Sequence, residues 1–450
     1  MGVRYVEGEG MRGTRRWFVQ RASLGIGSIL LASCSGSATP TPLTTQPTPT
    51  VASTPLQGAA TTPTAEGAVS TPTHLPARQT FRVGVILTLT GAQASLGESQ
   101  RNGMEHYLAT IDNQAGDWRL ELLVEDSAGK PEQALTKAQK LVERDQVDAI
   151  AGVILSSEAA ALRDYLVERQ IPWIIGNAGL VALACDPEKR SEYIFNVAKL
   201  QGQAEAPLAR YAAERLGYKR MVLTAPDYTA GHNRVSVFQH IFEEAGGTVV
   251  DTIYPPLGTQ DFGPYLQRIL QQEADAVWAF FSGEDAVRFV QQYAEFGVRE
   301  RFPLIATGDT VDENILDQQG EAALGIVSVL HYSPLYDTPA NREFVTGYRE
   351  RYGTVPNQFS YQGYLNARVI GEALASVSGG SAYTADAFVR ALRTVRFDGP
   401  VGEFRFEEET QFAIVHALVR RVERLPDGSL GNVVLEDLGT VTVSEICPLL

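Results

Sequence analysis

Three cysteines and six histidines in 450 residues leave little for metal or redox chemistry. The histidines are scattered, with none at the i, i+3 or i+4 spacing that sets two ligands on one helix face, so no metal site is indicated. HExxH, GxSxG, GxxxxGK and CxxC are all absent. Ser127-Ala128-Gly129-Lys130 spells SxxK, but its partner motifs are missing and it sits in a turn before Pro131. Gly8 to Gly13 matches GxGxxG with no strand before it and no βαβ unit around it, a chance hit. No catalytic constellation emerges, and no cofactor is called for. Apolar runs are short as well: Ala22 to Ala32 cannot cross a bilayer core, which needs about 20 residues. The formal net charge of −15 argues against nucleic acid or an anionic lipid surface as partner.

What is present begins with an address. Thr14-Arg15-Arg16-Trp17-Phe18-Val19-Gln20 resembles the twin-arginine export motif, and Leu31-Ala32-Ser33-Cys34 resembles a lipobox. In such signals the chain is cut before the cysteine, which then carries the lipid. Residues 1–34 are therefore read as a lipoprotein signal, with Met1 and Met11 both open as the true start. Residues 35–80 are rich in Pro and Thr and nearly uncharged, the composition of a disordered tether. The expected location is extracytoplasmic, at the membrane through the lipid alone. Cys185 and Cys447 remain, as one disulfide or as two separate buried thiols.

Residues 147–179 organise the folded part. The apolar runs Val147–Ile154 and Ile171–Ile175 are too short for helices and rich in β-branched residues, so they read as buried strands. Between them Ala159, Leu162 and Leu166 recur at helical spacing, with Arg163, Asp164 and Glu168 opposite. Strand, crossover helix and parallel strand bring two exit loops, Leu155-Ser156-Ser157 and Gly176-Asn177-Ala178-Gly179, to one rim of a sheet. Backbone N–H groups, hydroxyls and a helix N-terminus there suit a small carboxylate. On this stretch alone, serines that cap a helix and glycines that turn the chain fit equally well.

Elsewhere strand and helix alternate. Phe81–Leu87 is a first strand; Ser95-Leu96-Gly97-Glu98 has capping-box spacing ahead of a helix with Met104, Leu108 and Ile111 inward. Leu120–Val124 reads as a strand and Gln133–Arg144 as a helix. The alternation restarts after residue 200 and runs through strands near 220–224, 247–253, 276–281, 303–306 and 325–330. Helices at 340–352, 360–377 and 384–394 follow, then β-like segments at 401–406 and 413–422. Two parallel-sheet units mean two α/β lobes, and the late elements, having no lobe of their own, must complete the first two.

Taken in order, VGVILTLTGAQASLGESQRNG, LVEDSAGKPEQALTKAQKLVERDQVDAIAGVILSS, IPWIIGNAG, YIFNVAKLQGQ, LTAPDYTAGHNRVSVFQHIFEEAGGTVV and GYRERYGTVPNQFSYQGYLNARVI resemble the branched-chain amino acid-binding (Leu/Ile/Val-type) family. These are the type I periplasmic substrate-binding lipoproteins of ABC importers. The resemblance spans roughly residues 81–425 and is specific as a set. It implies an α/β fold of two doubly wound parallel-sheet lobes joined by a three-strand hinge, with ligand in the cleft. The expected lobes are 81–199 with 331–412, and 200–330 with 413–450.

The resemblance also assigns residues. Ser156, Asn177, Ala178 and Gly179 take the ligand carboxylate; relatives commonly have Thr or Ser where Gly179 stands, and Asn177 is the substitute donor. Asp309 matches the acid that faces an α-ammonium, against the plainer reading of a turn or cap residue. Tyr228 and Ala230 fall in the DYxxG loop; Leu96 and Ala230 stand where aromatics often close the pocket, which leaves room for a bulkier ligand. Phe359 and Tyr361 are expected along the cleft, with core packing the alternative. The implied function is a non-enzymatic, monomeric binding protein that delivers a small carboxylate to ABC permease subunits. A hydrophobic amino acid is the first choice of ligand and an aromatic or other organic acid the second. A ligand sensor on the same fold is the rival reading.

Overall fold

The structure, a computed structural model, describes residues 79–91, 93–377 and 383–450. The export signal, Cys34 and the tether as far as residue 78 lie outside those residues. The first sheet contains β1 (Gln79–Leu87), β2 (Gln114–Ala115), β3 (Trp118–Asp126), β4 (Ala149–Gly152), β5 (Trp173–Ile175) and β6 (Ile194–Asn196), in the order β2-β3-β1-β4-β5-β6. Its pairings are parallel except for the short β2 on β3. The second sheet begins with β7 (Arg220–Thr224), β8 (Thr248–Ile253), β9 (Ala276–Ala279), β10 (Leu304–Thr307) and β11 (Val327–Leu330), all parallel. A separate hairpin, β12 (Arg396–Gly399) with β13 (Gly402–Arg405), precedes β14 (Val415–Arg424) and β15 (Leu430–Val441). The last two close the second sheet antiparallel, giving the order β15-β14-β11-β10-β9-β7-β8.

Both sheets are covered on both faces, which is why β4 and β5 are unbroken apolar runs buried at every residue. Along β1, Phe81, Val83, Val85 and Leu87 join one core and Ile86 the opposite one, the period-2 signature of a strand. The first core packs against α1 (Ala94–Thr110) and the second against α2 (Pro131–Gln139), α3 (Ser156–Glu168) and α4 (Val181–Cys185). In the second lobe α5 (Glu205–Glu214) and α6 (Thr229–Glu244) cover one face. There α7 (Gly263–Leu270), α8 (Gly283–Glu295) and α9 (Leu316–Gln319) cover the other. The chain then returns: α10 (Pro339–Tyr352), α11 (Gln358–Ser376) and α12 (Ala385–Arg393) contribute Phe344, Leu365 and Phe388 to the first core. It passes between the sheets three times, at 197–204, 331–338 and 406–414. This is the doubly wound two-lobe fold that the alternation of strand and helix implies.

One close approach fixes the first lobe. A Cβ on Gly103 of α1 would be driven into the Ser360 carbonyl, and a Cβ on Gly363 of α11 into that of Gln100. The two helices therefore cross backbone on backbone, and this sets where the N-terminus of α11 lies.

Three local readings change. The Ser95–Glu98 capping box does not form: Gln93 is the N-cap and Ser95 lies inside α1, exposed. Neither Ser156 nor Ser157 caps α3; Leu155 does, its N–H donating to Glu158 Oε2 at 3.0 Å. Strand β15 has no counterpart in the sequence reading, because this edge strand is largely half-exposed and Gly431, Asn432 and Gly439 break its apolar alternation. Cys185, at the end of α4, and Cys447, just after α13 (Val443–Ile446), are joined by a disulfide across 262 residues. Among the described residues no helix is long and apolar enough to cross a membrane.

Candidate functional site

In each sheet the strand order reverses about one strand, β1 between β3 and β4 in the first and β7 between β8 and β9 in the second. The exit loops on either side of such a switch point diverge and leave a crevice at the carboxyl edge. The first lobe offers the loops after β1, β4 and β5, and the second those after β7, β9 and β10. The rims meet: a Cβ on Gly283, after β9, would lie 3.4 Å from Gln93 Oε1, after β1. The lobes are therefore closed on each other at this edge.

On the first rim Ser156 opens α3, so its amide and that of Ser157 belong to the turn with no intrahelical acceptor. Together with the dipole of a 13-residue helix they make a ready anion site. Gln201 Nε2 donates to Ser156 Oγ at 3.5 Å and Asn233 Nδ2 donates to Gln201 Oε1 at 2.9 Å. A polar chain thus runs from the first rim through the first crossover to α6. Asn177 Nδ2 donates one of its two hydrogens to Ile154 O at 2.8 Å, tying the two exit loops together. Asn196 Nδ2 holds Ala178 O at 2.8 Å. Gly179 has a steric cause, since a Cβ there would stand 2.8 Å from Lys199 O. The crossover lies on this loop too closely for a Thr or Ser side chain at this position.

The second rim is aromatic and charged. Tyr228, the N-cap of α6, stacks on Phe280 with ring centroids 6.4 Å apart, and burial raises its pKa to about 12. Ala230 is buried in the first turn of α6, as Leu96 is in that of α1. The Arg234 guanidinium lies 4.3 Å over the Phe280 ring and pairs with the fully buried Glu205.

Asp309, just after β10, is where structure and expectation part. Its carboxylate is already neutralised. Lys199 Nζ lies 3.1 Å from Oδ1, Gln358 Nε2 donates to the same oxygen at 3.1 Å, and Arg234 Nη1 stands 3.8 Å from Oδ2. Lys199 and Asp309 have side chains only 4% and 9% exposed, so each needs the other. Burial by itself would raise the Asp309 pKa; Lys199 and Arg234, with the hydrogen bonds from Lys199 and Gln358, outweigh it and hold the carboxyl below its ordinary range. For Lys199 burial comes first and lowers the pKa, with Asp309 pulling the other way. Lys199 Nζ faces two acceptor oxygens, Asp309 Oδ1 and Gln358 Oε1, and is the donor of the group.

Phe359 and Tyr361 take the plainer alternative. Both are buried in the first lobe's core, where Tyr361 stacks on Tyr332 with centroids 4.5 Å apart. Gln358, one residue earlier, is the side chain of α11 that reaches the charged group. Lys199, Gln201, Glu205, Arg234, Phe280 and Gln358 were absent from the sequence reading. A lysine within Val197-Ala198-Lys199-Leu200, and an arginine on the stripe Ala230, Arg234, Phe238, are the signals that could have found two of them. Among the described residues no cluster of His, Cys, Asp or Glu is arranged to hold a metal ion.

The periplasmic binding protein family model matches residues 80–428. The Leu/Ile/Val-binding protein homolog 6 of Brucella melitensis is 30% identical over 357 residues, 78% of this chain and 90% of that protein. An ABC transporter substrate-binding protein from Sphaerobacter thermophilus superposes with a TM-score of 0.78 at 48% identity, over 81% of this chain and 99% of that one. A solute-binding protein of an ABC transporter from Rhodopseudomonas palustris BisB5, in complex with 3,4-dihydroxybenzoic acid, gives 0.76 at 29% identity over 81% and 99%.

Proposed function

Because the chain belongs to the periplasmic binding protein family, we propose that it is the substrate-binding component of an ABC importer whose ligand is a small carboxylate without an α-ammonium, of the aromatic or related organic acids. In this reading the protein is tethered outside the membrane by lipid on Cys34 and makes or breaks no bond. The lobes are 81–199 with 331–412 and 200–330 with 413–450, and ligand favours the closed form because it touches both.

The observation that carries the ligand class is the state of Asp309. A hydrophobic amino acid, the ligand that the resemblance puts first, must bury its ammonium against a free anion. Asp309 is held by Lys199 and faces Arg234 as well, so a third cation would meet repulsion. A carboxylate alone needs only donors, and the Ser156 hydroxyl with the first-turn amides of α3 supplies them. Tyr228 and Phe280 stack on each other on the second rim and give it an aromatic character. The Rhodopseudomonas palustris protein, which holds an aromatic acid, supports the same class. A thermal-shift panel of benzoate, 4-hydroxybenzoate, 3-phenylpropanoate, leucine, isoleucine and phenylalanine tests it. Stabilisation by acids and not by amino acids is expected; the reverse order would overturn the reading.

A further inference from the structure

We propose that Lys199 sets the ligand class: from within the chain, its ammonium occupies the place on Asp309 that a ligand ammonium would otherwise take. This rests on the functional reading above and names the residue behind it. Lys199 belongs to the first crossover, and its carbonyl is the atom that excludes a Cβ at Gly179. It therefore lies directly between the anion-binding loop and Asp309. Its Nζ donates to Asp309 Oδ1 at 3.1 Å and to Gln358 Oε1 at 2.9 Å, while Gln358 Nε2 donates back to Asp309 at 3.1 Å. The three side chains close a triangle with a primary ammonium at one corner, which is how a protein would bind an amine. Asp309 Oδ2 has no hydrogen-bond partner and faces the Arg234 guanidinium at 3.8 Å. The surrounding charges balance without ligand: Lys199 and Arg234 against Asp309 and Glu205, all nine-tenths or more buried. A second ammonium beside Lys199 would bury two like charges together.

Cutting Lys199 back to Ala removes three methylenes and the ammonium. It leaves a space of that shape lined by Asp309 Oδ1 and Gln358 Oε1. Lys199→Ala should bind phenylalanine at least about tenfold more tightly than wild type, and 3-phenylpropanoate, the same skeleton without the ammonium, more weakly. Because the variant buries an unpaired carboxylate and is at risk of unfolding, its melting temperature is also followed against propylammonium, the group that was removed. A saturable rise in Lys199→Ala, absent in wild type and in Lys199→Ala with Asp309→Asn, is expected. No response to propylammonium together with a phenylalanine affinity that is unchanged or falls alongside that for 3-phenylpropanoate would overturn the role of Lys199. If wild type prefers 3-phenylpropanoate in that case, only this inference fails. If wild type itself prefers phenylalanine, the functional reading fails and the inference with it.

Discussion

Removing Asp309 should weaken the protein and leave its affinity for acids intact, and the opposed signs make Asp309→Ala informative. The carboxylate has the Lys199 ammonium at 3.1 Å and the Arg234 guanidinium at 3.8 Å, all with side chains at most 9% exposed. Losing one partner of a buried pair costs about 3–5 kcal/mol, because the other charge stays buried and unpaired. Arg234 keeps Glu205, so the stranded charge is that of Lys199 alone, and a loss near the lower figure, about 3 kcal/mol, is expected. The pH dependence has a definite sign. The folded pKa of Asp309 is depressed. Its contribution is therefore complete above the unfolded carboxyl pKa of about 3.9 and is lost as pH falls through the lower folded value. From Asp309 alone, the gap between wild type and variant should shrink below about pH 4, by at most ~1.4 kcal/mol per unit. Urea unfolding at stepped pH reads this, and calorimetry with 3-phenylpropanoate reads the affinity. A variant as stable as wild type at pH 7, or one that binds the acid tenfold more weakly, would refute the argument.

Three further outcomes follow from other parts of the molecule. Reducing the Cys185–Cys447 bond, which closes a 262-residue separation, should cost about 2–5 kcal/mol, the usual loss when a native disulfide is removed; identical melting with and without reductant would contradict it. Gly363→Ala should destabilise by about 1–3 kcal/mol or more, since the new methyl meets the Gln100 backbone and not a yielding side chain; denaturant titration with no shift of midpoint would be inconsistent with the crossing of α1 and α11. Cys34→Ala should release the protein from membranes or leave it unprocessed, and a fractionation that still finds it processed and membrane-bound would remove the anchor.

The fold was legible because parallel strands buried on both faces are unbroken apolar runs and the helices between them carry apolar stripes. Val147–Ile154 and Ala159, Leu162 and Leu166 show both patterns, and β4 and α3 form there. β15 was not legible, for an antiparallel edge strand half in water has no such run. On the first rim, the loops that carry Ser156 and Gly179 follow the paired parallel strands β4 and β5, so their adjacency could be read from the chain. The second rim could not: Lys199, Arg234, Asp309 and Gln358 are far apart in sequence and meet only through tertiary packing. Asp309 was found, but its partners decide its role, and no local pattern names the cation that a buried carboxylate will have. Phe359 and Tyr361 lie in the first lobe's core, and an aromatic helix start looks the same in sequence whether it faces a ligand or a core.

The claim that the cleft takes a carboxylate and refuses an α-ammonium is tested most directly by titrating wild-type protein with 3-phenylpropanoate and phenylalanine in one calorimetric experiment at pH 7. The ligands differ in that ammonium alone, so shape and apolar burial cancel. The account predicts 3-phenylpropanoate binding tighter by about a hundredfold or more, the scale of an unpaired buried charge. Phenylalanine binding as tightly as the acid, or more tightly, would contradict it.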